Sequence, residues 1–199
     1  MTTLARAALL LLLGLGVAAP AWGFDAAATY AKGAKVLSLE AGYGERFDLE
    51  GVADGTEVEF FNTGVRLSWL PFEPVGPGPL HGALEIGLEP FYQRYLEPST
   101  AFFAGAAAVL RYHFLSLGRL VPYVEVAGAA GGTDLRIREI DSDFTFLVFG
   151  GAGASIFVTD HTAVYAGYRL QHVSNGNTDL PNRGFESHTA VVGVSLFFR

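Results

Sequence analysis

The sequence contains no cysteine, which excludes disulfide bonds, thiolate metal ligands and a cysteine nucleophile. It also has no cluster of basic residues. The 13 Lys and Arg residues are outnumbered by 20 Asp and Glu residues, which gives a formal net charge of −7. Such an acidic balance argues against a nucleic acid partner. Beyond the N-terminal segment, no run approaches the roughly 18 consecutive apolar residues of a transmembrane helix. The fold must therefore be stabilised by packing and backbone hydrogen bonds.

The one marked apolar run stands at the N-terminus. A single arginine precedes the run Ala7–Val17, and Ala21 and Gly23 supply the small residues of a cleavage site. This layout is typical of a secretory signal peptide. The run of about 11 residues is short for a membrane span, which needs about 20, although an uncleaved anchor is the alternative. We therefore expect residues 1–23 to be a signal peptide and residues 24–199 to form one domain.

The rest of the chain alternates apolar and polar residues with a period of two, which indicates β-strands. Half of the residues are hydrophobic and 25 are glycine. Eight alternating segments recur, most of them about 11–14 residues long, which suits tilted membrane-crossing strands better than globular strands of about 5–6 residues. The segments are Val36–Phe47, Val58–Leu70, Ala83–Tyr95, Phe102–Phe114, Val121–Gly132, Phe144–Val158, Ala163–Ser174 and Phe185–Phe198.

Almost all of the charged residues within these segments fall on the face opposite the apolar stripe. In a small barrel that face is the interior, where acids and bases can pair. Aromatic residues cluster near the segment ends, as in the girdles of outer-membrane barrels. The sequence thus predicts an all-β fold, an eight-stranded antiparallel transmembrane β-barrel, with a soluble β-sandwich as the alternative. The charged residues are Arg66, Glu85, Glu89, Arg111, Glu125 and Arg169.

An even number of strands places both ends of a barrel on the same side of the membrane, which for this class is the periplasm. The connections after the first, third, fifth and seventh segments then lie outside the cell. We therefore expect the polar stretch Gln171–Ser187, between the last two segments, at the outer rim. The histidines His81, His113 and His161 fall near the periplasmic ends, where we expect them to be solvated.

Three reactive side chains of this stretch share one face of the last hairpin. Strand alternation places His172 and Ser174 on the outward side, and in the next segment it places Glu186 there. His172 and Ser174 are then roughly 6.5 Å apart, and Glu186 lies opposite His172 at roughly 4.5–5.5 Å. These are the relations of a Ser–His–acid triad. The alternatives are a solvated rim without a catalytic role and a metal site that adds His188.

The same stretch resembles the signature of the lipid A 3-O-deacylase (PagL) family. His-Val-Ser-Asn occupies residues 172–175, Pro-Asn occupies residues 181–182, and Glu186 follows Ser174 by 12 residues. The resemblance implies an eight-stranded outer-membrane barrel that removes the acyl chain from the 3-position of lipid A without a metal or cofactor. It also implies site roles: His172 as base, Ser174 as nucleophile, Glu186 as orienting acid, and Asn175, Gly176 and Asn182 around the oxyanion site.

The partner implied by this resemblance is lipid A or lipopolysaccharide in the bacterial outer membrane, with the active site toward the extracellular side. The oligomeric state is open, a homodimer included. Two other functions also stay open: a non-catalytic structural barrel, and a different outer-membrane lipid esterase or acyltransferase with the same triad. Four arginines lie toward the outer side and could meet lipid A phosphates: Arg94, Arg136, Arg138 and Arg183.

Overall fold

The computed structural model describes residues 24–47 and 55–199, so the predicted signal peptide lies outside the described residues. Eight antiparallel strands pair with their sequence neighbours, and pairing of the first with the last closes the barrel. The described residues contain no helix that is both long and apolar enough to span a bilayer. The elements are α1 (Ala26–Thr29), β1 (Lys35–Arg46), β2 (Glu59–Trp69), a 3-10 turn (Gly78–Leu80), β3 (Gly82–Glu97), β4 (Ala101–Phe114), β5 (Leu120–Thr133), β6 (Phe144–Phe157), β7 (Thr162–Ser174) and β8 (Phe185–Phe198).

The predicted eight-stranded barrel is confirmed. Strand ends differ from the predicted segments by no more than two residues, because the alternation of buried and exposed side chains follows the alternation in the sequence. In β2, for example, Val65, Leu67 and Trp69 are exposed on the outer surface while Arg66 and Ser68 are buried. We call the end with the connections after β1, β3, β5 and β7 the upper end, and the opposite end the lower end.

The middle of the barrel is filled by charged side chains, and all six that were predicted to face inward are buried. Arg169 Nε donates to Glu125 Oε1 at 2.7 Å, and the Arg169 guanidinium also binds Glu40 of β1. Arg111 Nη2 donates to the other Glu125 oxygen at 2.7 Å. Charges inside a barrel need such partners because burial removes their hydration. Glu40, which the sequence pattern did not single out, completes the network.

The lower end is closed by the N-terminal segment, and the prediction that His113 is solvated is wrong. His113 is buried, with Nε2 2.7 Å from Glu85 Oε2 and Nδ1 3.3 Å from the Tyr30 hydroxyl. Tyr30 follows α1 and packs among apolar residues that include Phe157 and Phe197. Because this segment folds into the end of the barrel, it excludes the solvent that the strand pattern alone would have allowed.

The upper end is closed by the connection between β5 and β6, residues 134–143, which we call the β5–β6 loop. Leu135, Ile137 and Ile140 of this loop are buried in one apolar cluster with strand residues such as Phe60 and Phe185. The Ile137 and Ile140 backbones exchange hydrogen bonds of 3.0 and 3.3 Å, which gives the loop a tight hairpin. The interior is therefore packed with apolar residues at both ends, and the candidate site lies on the outside of this closed structure.

Candidate active site

His172 and Glu186 face one another across β7 and β8, as the strand parity predicted. His172 Nδ1 lies 3.1 Å from Glu186 Oε1, and the two side chains are 42% and 37% exposed. Both point outward, because the residues beside them, Gln171, Val173 and Ser187, are buried inside the barrel. A carboxylate at Nδ1 favours the tautomer that carries a proton on Nδ1, which leaves Nε2 as a proton acceptor.

Ser174 is the last residue of β7 and shares the outward face with His172. Among the described residues, Ser174 Oγ makes no hydrogen bond with His172. The hydrogen bond between a nucleophile and its base is often long in enzymes without substrate, so rotation of the side chains can still join them. The structure thus brings His172 and Glu186 into contact and leaves Ser174 as the adjacent side chain on the same face.

Gly184 lies against the His172 ring, and sequence reasoning gave this residue no role of its own. Its φ of +68° lies in the left-handed region, which favours glycine. A Cβ at this position would lie 2.8 Å from His172 Cε1 and 3.2 Å from His172 Nε2. The Nε2 edge of the imidazole therefore faces Gly184, at the end of the hairpin where Ser174 lies. The glycine within the Asn-Arg-Gly sequence is the signal that could have identified this position.

Asn175 organises the turn that follows Ser174. It is fully buried, and its Nδ2 donates to the carbonyl of Asp179 at 2.9 Å and, less closely, to that of Pro181 at 3.4 Å. Its Oδ1 accepts from the Asn177 N–H at 3.0 Å. Asn182 fixes the backbone from the other side, since its Oδ1 accepts from the Asn175 N–H at 2.8 Å. Both asparagine side chains are thus used within the loop.

Gly176 forms the exposed part of the turn next to Ser174. Its φ is +66°, and a Cβ there would lie 3.2 Å from the ring of Phe146, the β6 residue that pairs with Ser174. Its backbone N–H has no hydrogen-bond partner within the described part of the chain. Gly176 is two residues after Ser174, the predicted nucleophile. A free backbone N–H so close to a nucleophile is able to stabilise the negative charge that develops on the carbonyl oxygen.

His188 belongs to a separate pair on the same outer face. Its Nε2 lies 3.3 Å from Glu45 Oε1 of β1, and its ring lies against those of Tyr168 and Phe47. Residues 24–47 and 55–199 contain no group of three or more His, Cys, Asp or Glu residues that could hold a metal ion.

The outer-side arginines have different environments. Arg136 is bonded to two carboxylates of its own loop, Asp141 at 2.8 Å and Asp143. Arg94 and Arg183 are exposed. The structure therefore gives Arg136 a local role in the loop and leaves Arg94 and Arg183 exposed.

Comparison with known proteins gives two kinds of match. The family model described as lipid A 3-O-deacylase (PagL) matches residues 63–195, more than half of the chain. Among solved structures, the outer membrane enzyme PagL is 19% identical with a TM-score of 0.60, and the alignment covers 79% of this chain and 97% of that chain.

Neisserial surface protein A (NspA) is similar in fold to the same degree. It is 16% identical with a TM-score of 0.61, and the alignment covers 84% of this chain and 100% of that chain. A comparison with curated protein sequences finds no match. At identities of 19% and 16%, the similarity to these two structures shows the barrel fold alone. The match to the family model also includes the hairpin that carries His172, Ser174 and Glu186.

Proposed function

Because the chain belongs to the lipid A 3-O-deacylase (PagL) family, we propose that it hydrolyses the acyl ester at the 3-position of lipid A with Ser174 as nucleophile, His172 as base and Glu186 as orienting acid. The observation that carries these roles is the 3.1 Å contact of His172 with Glu186 on the outward face. Ionisable residues on the lipid side of a membrane protein cost free energy unless they lie at the interface or have a function. The half-exposed pair of His172 and Glu186, next to Ser174, is consistent with a position at the interface and with a function.

The first half of the reaction forms an acyl-enzyme. His172 Nε2 takes the proton of the Ser174 hydroxyl as Oγ attacks the ester carbonyl carbon. Glu186 accepts the hydrogen bond from Nδ1–H and stabilises the imidazolium that forms. The tetrahedral intermediate then releases the sugar oxygen, which takes the proton from His172 and leaves lipid A with a free 3-hydroxyl. The acyl chain remains bonded to Ser174.

The second half uses water. His172 removes a proton from a water molecule that attacks the acyl-Ser174 carbonyl, and returning that proton to Oγ releases the 3-hydroxy fatty acid. In both halves the charge on the carbonyl oxygen needs a donor, and the N–H of Gly176 is the backbone group that we assign to it. Asn175 and Asn182 support this role by holding the turn.

The position of the site suits a lipid substrate. The three side chains lie on the outer surface at the upper end of the barrel, above exposed apolar residues such as Leu170 and Val192. An acyl chain can contact this apolar wall while its ester group reaches Ser174 at the level of the head groups. We therefore propose that the upper end is extracellular and that the substrate enters from the outer leaflet.

The test is mass spectrometry of lipid A incubated with wild-type protein and with Ser174→Ala. We expect the wild type to remove one 3-hydroxyacyl group and Ser174→Ala to be at least about 10³-fold slower. Ser99→Ala is the control, because Ser99 is another serine at the upper end and lies outside the proposed site. Intact lipid A after wild-type treatment would contradict the proposal, and release of lysophospholipid instead would indicate a different lipid esterase.

A further inference from the structure

The β5–β6 loop contacts the loop that follows Ser174, although the two are far apart in sequence. Ile140 and Asn182 form an isolated antiparallel bridge, and the Arg183 N–H donates to the Glu139 carbonyl at 2.9 Å. Ser142 Oγ also donates to Asp179 Oδ2 at 3.2 Å. These contacts reach the middle and the C-terminal end of the turn that Asn175 organises. The turn after Ser174 is therefore supported by a loop that contributes no residue to the triad.

Asn182 connects this support to the residue next to the nucleophile. Its backbone pairs with Ile140, while its Oδ1 accepts from the Asn175 N–H at 2.8 Å and its Nδ2 donates to Asn177 Oδ1 at 3.0 Å. A displacement of the β5–β6 loop would move Asn182, and with it the Ser174–Asn175 peptide group whose N–H it binds. Ser174 and the proposed oxyanion donor are both adjacent to that peptide.

Glu139 fixes the β5–β6 loop to the strand on the other side of the site. Its Oε1 accepts from Arg46 Nη1 at 2.6 Å and from the Thr56 N–H at 3.0 Å, and its side chain is only 6% exposed. Burial raises the pKa of the Glu139 carboxyl, but hydrogen bonds from Thr56 and Arg46 outweigh this effect and lower the pKa to about 2. Next to Arg46, the Phe47 N–H donates to the Glu186 carbonyl at 3.1 Å.

We propose that Glu139 and Asn182 are positioning residues of the deacylase, which act through the β5–β6 loop to hold the turn after Ser174 in its reactive geometry. This inference rests on the proposed function. The turn is exposed from residue 176 to residue 181, so few packed side chains hold it. Contacts with the β5–β6 loop therefore matter for its position. Small displacements of a nucleophile or an oxyanion donor reduce the rate without preventing substrate binding.

The experiment compares Glu139→Ala, Glu139→Gln and Asn182→Ala in the purified full-length barrel, with lipid A in detergent micelles as substrate. We expect Glu139→Ala and Asn182→Ala to lower kcat about 10- to 100-fold and to change KM less than about twofold. Glu139→Gln should recover most of the rate, because its amide oxygen can accept the same two hydrogen bonds. Asp141→Asn is the control, since Asp141 lies in the same loop but pairs with Arg136 at the surface.

Two further measurements separate positioning from folding and from substrate identity. Amide hydrogen exchange of residues 175–182 should become faster in Glu139→Ala and Asn182→Ala, and labelling of Ser174 by a fluorophosphonate should become slower. Wild-type exchange or wild-type kcat in both variants would overturn the inference. If the wild type leaves lipid A intact, the proposed function fails, and the exchange and labelling rates together still decide whether the loop positions Ser174.

Discussion

Strand β7 carries two basic residues, three positions apart, that meet opposite environments. Arg169 points into the barrel, is fully buried, and binds Glu125 of β5 and Glu40 of β1. His172 points outward, is 42% exposed, and binds the single carboxylate of Glu186 on the neighbouring strand. Both are base–carboxylate contacts, and the side of the strand on which they lie follows from strand parity alone.

The difference shows how one strand carries both a buried ion-pair network and an exposed pair. Arg169 is buried among packed side chains that exclude water, so its charge is neutralised by the neighbouring carboxylates of Glu40 and Glu125. Around His172, one ring nitrogen is held by Glu186 while the other remains accessible beside Gly184. Inward polar residues on this barrel therefore bear on folding, and outward ones at the upper end are available to a substrate.

The sharpest test of this contrast is Glu186→Gln. A glutamine keeps the shape of the side chain but cannot stabilise the imidazolium, so we expect kcat for lipid A to fall about 10⁴-fold, as when the acid of a serine protease triad is replaced by its amide. The stability of the barrel should change by less than about 1 kcal/mol, because exposed ion pairs contribute little. Rate assays and urea unfolding in detergent measure the two effects.

The control for Glu186→Gln is Glu45→Gln. Glu45 contacts His188 on the same outer face at 3.3 Å, so this change removes an equivalent charge from the other pair. We expect its kcat to stay close to that of the wild type. Equal losses in the two variants would mean that Glu186 acts only through the charge of the surface.

The converse change is Arg169→Met in the interior. Removing one partner of a buried charge network leaves Glu40 and Glu125 undercompensated, which should cost about 3–5 kcal/mol of unfolding free energy. Protein that remains folded should keep its kcat, because no residue of the site changes. Lys35→Met, at an exposed position at the lower end of β1, is the control. A kcat loss in folded Arg169→Met would show that interior and outer face are not independent.

Gly184→Ala tests the contact between the turn and the imidazole. The new methyl would lie 2.8 Å from His172 Cε1, so we expect the ring to shift and kcat to fall about 10-fold. Gly118→Ala separates this contact from backbone strain, because Gly118 has a similar φ of +63° with open space around its Cβ position. Gly118→Ala should lose roughly 1 kcal/mol of stability. Gly184→Ala should lose more, because its methyl would also lie 2.9 Å from the Val173 carbonyl oxygen, and only Gly184→Ala should lose activity.

The smallest expected effect is the pH dependence of the Glu139 contact. Because its pKa is lowered to about 2 from an ordinary value of 4.5, the carboxylate stabilises the folded loop at pH values above 4.5. That contribution is lost as the pH falls through about 2. Amide exchange of the β5–β6 loop should thus be protected equally at pH 7 and pH 5 and less at pH 2.5, with a weaker trend in Glu139→Gln.

Much of the fold was predictable because successive side chains of a strand point to opposite faces, so the alternation of apolar and polar residues shows which face is which. Each of the eight segments became a strand with the expected inward and outward faces, and the pairing of His172 with Glu186 was confirmed. The resemblance to the PagL family, read from the same hairpin, was confirmed by the family match. The roles of the individual site residues stay predictions, to be decided by the variants above.

Other features were not predictable, because they depend on groups that meet only after the barrel closes. His113 was expected to be solvated, but the N-terminal Tyr30 covers it. The sequence pattern did not indicate a role for Glu40, yet its carboxylate forms ion pairs with Arg66 and Arg169 from two other strands. The contacts of the Asn175 amide with carbonyl groups of its own loop were likewise not visible in the sequence pattern.

The sequence by itself determined the strands, their faces and the outward position of His172, Ser174 and Glu186, because alternation and short hairpins are local properties. Only the tertiary structure decided which interior charges pair and that the β5–β6 loop supports the turn after Ser174. Closure of the barrel brings strands distant in sequence to opposite walls of one interior, and folding of a loop across its end sets contacts that no local pattern encodes. Residues 139 and 182 are joined for this reason.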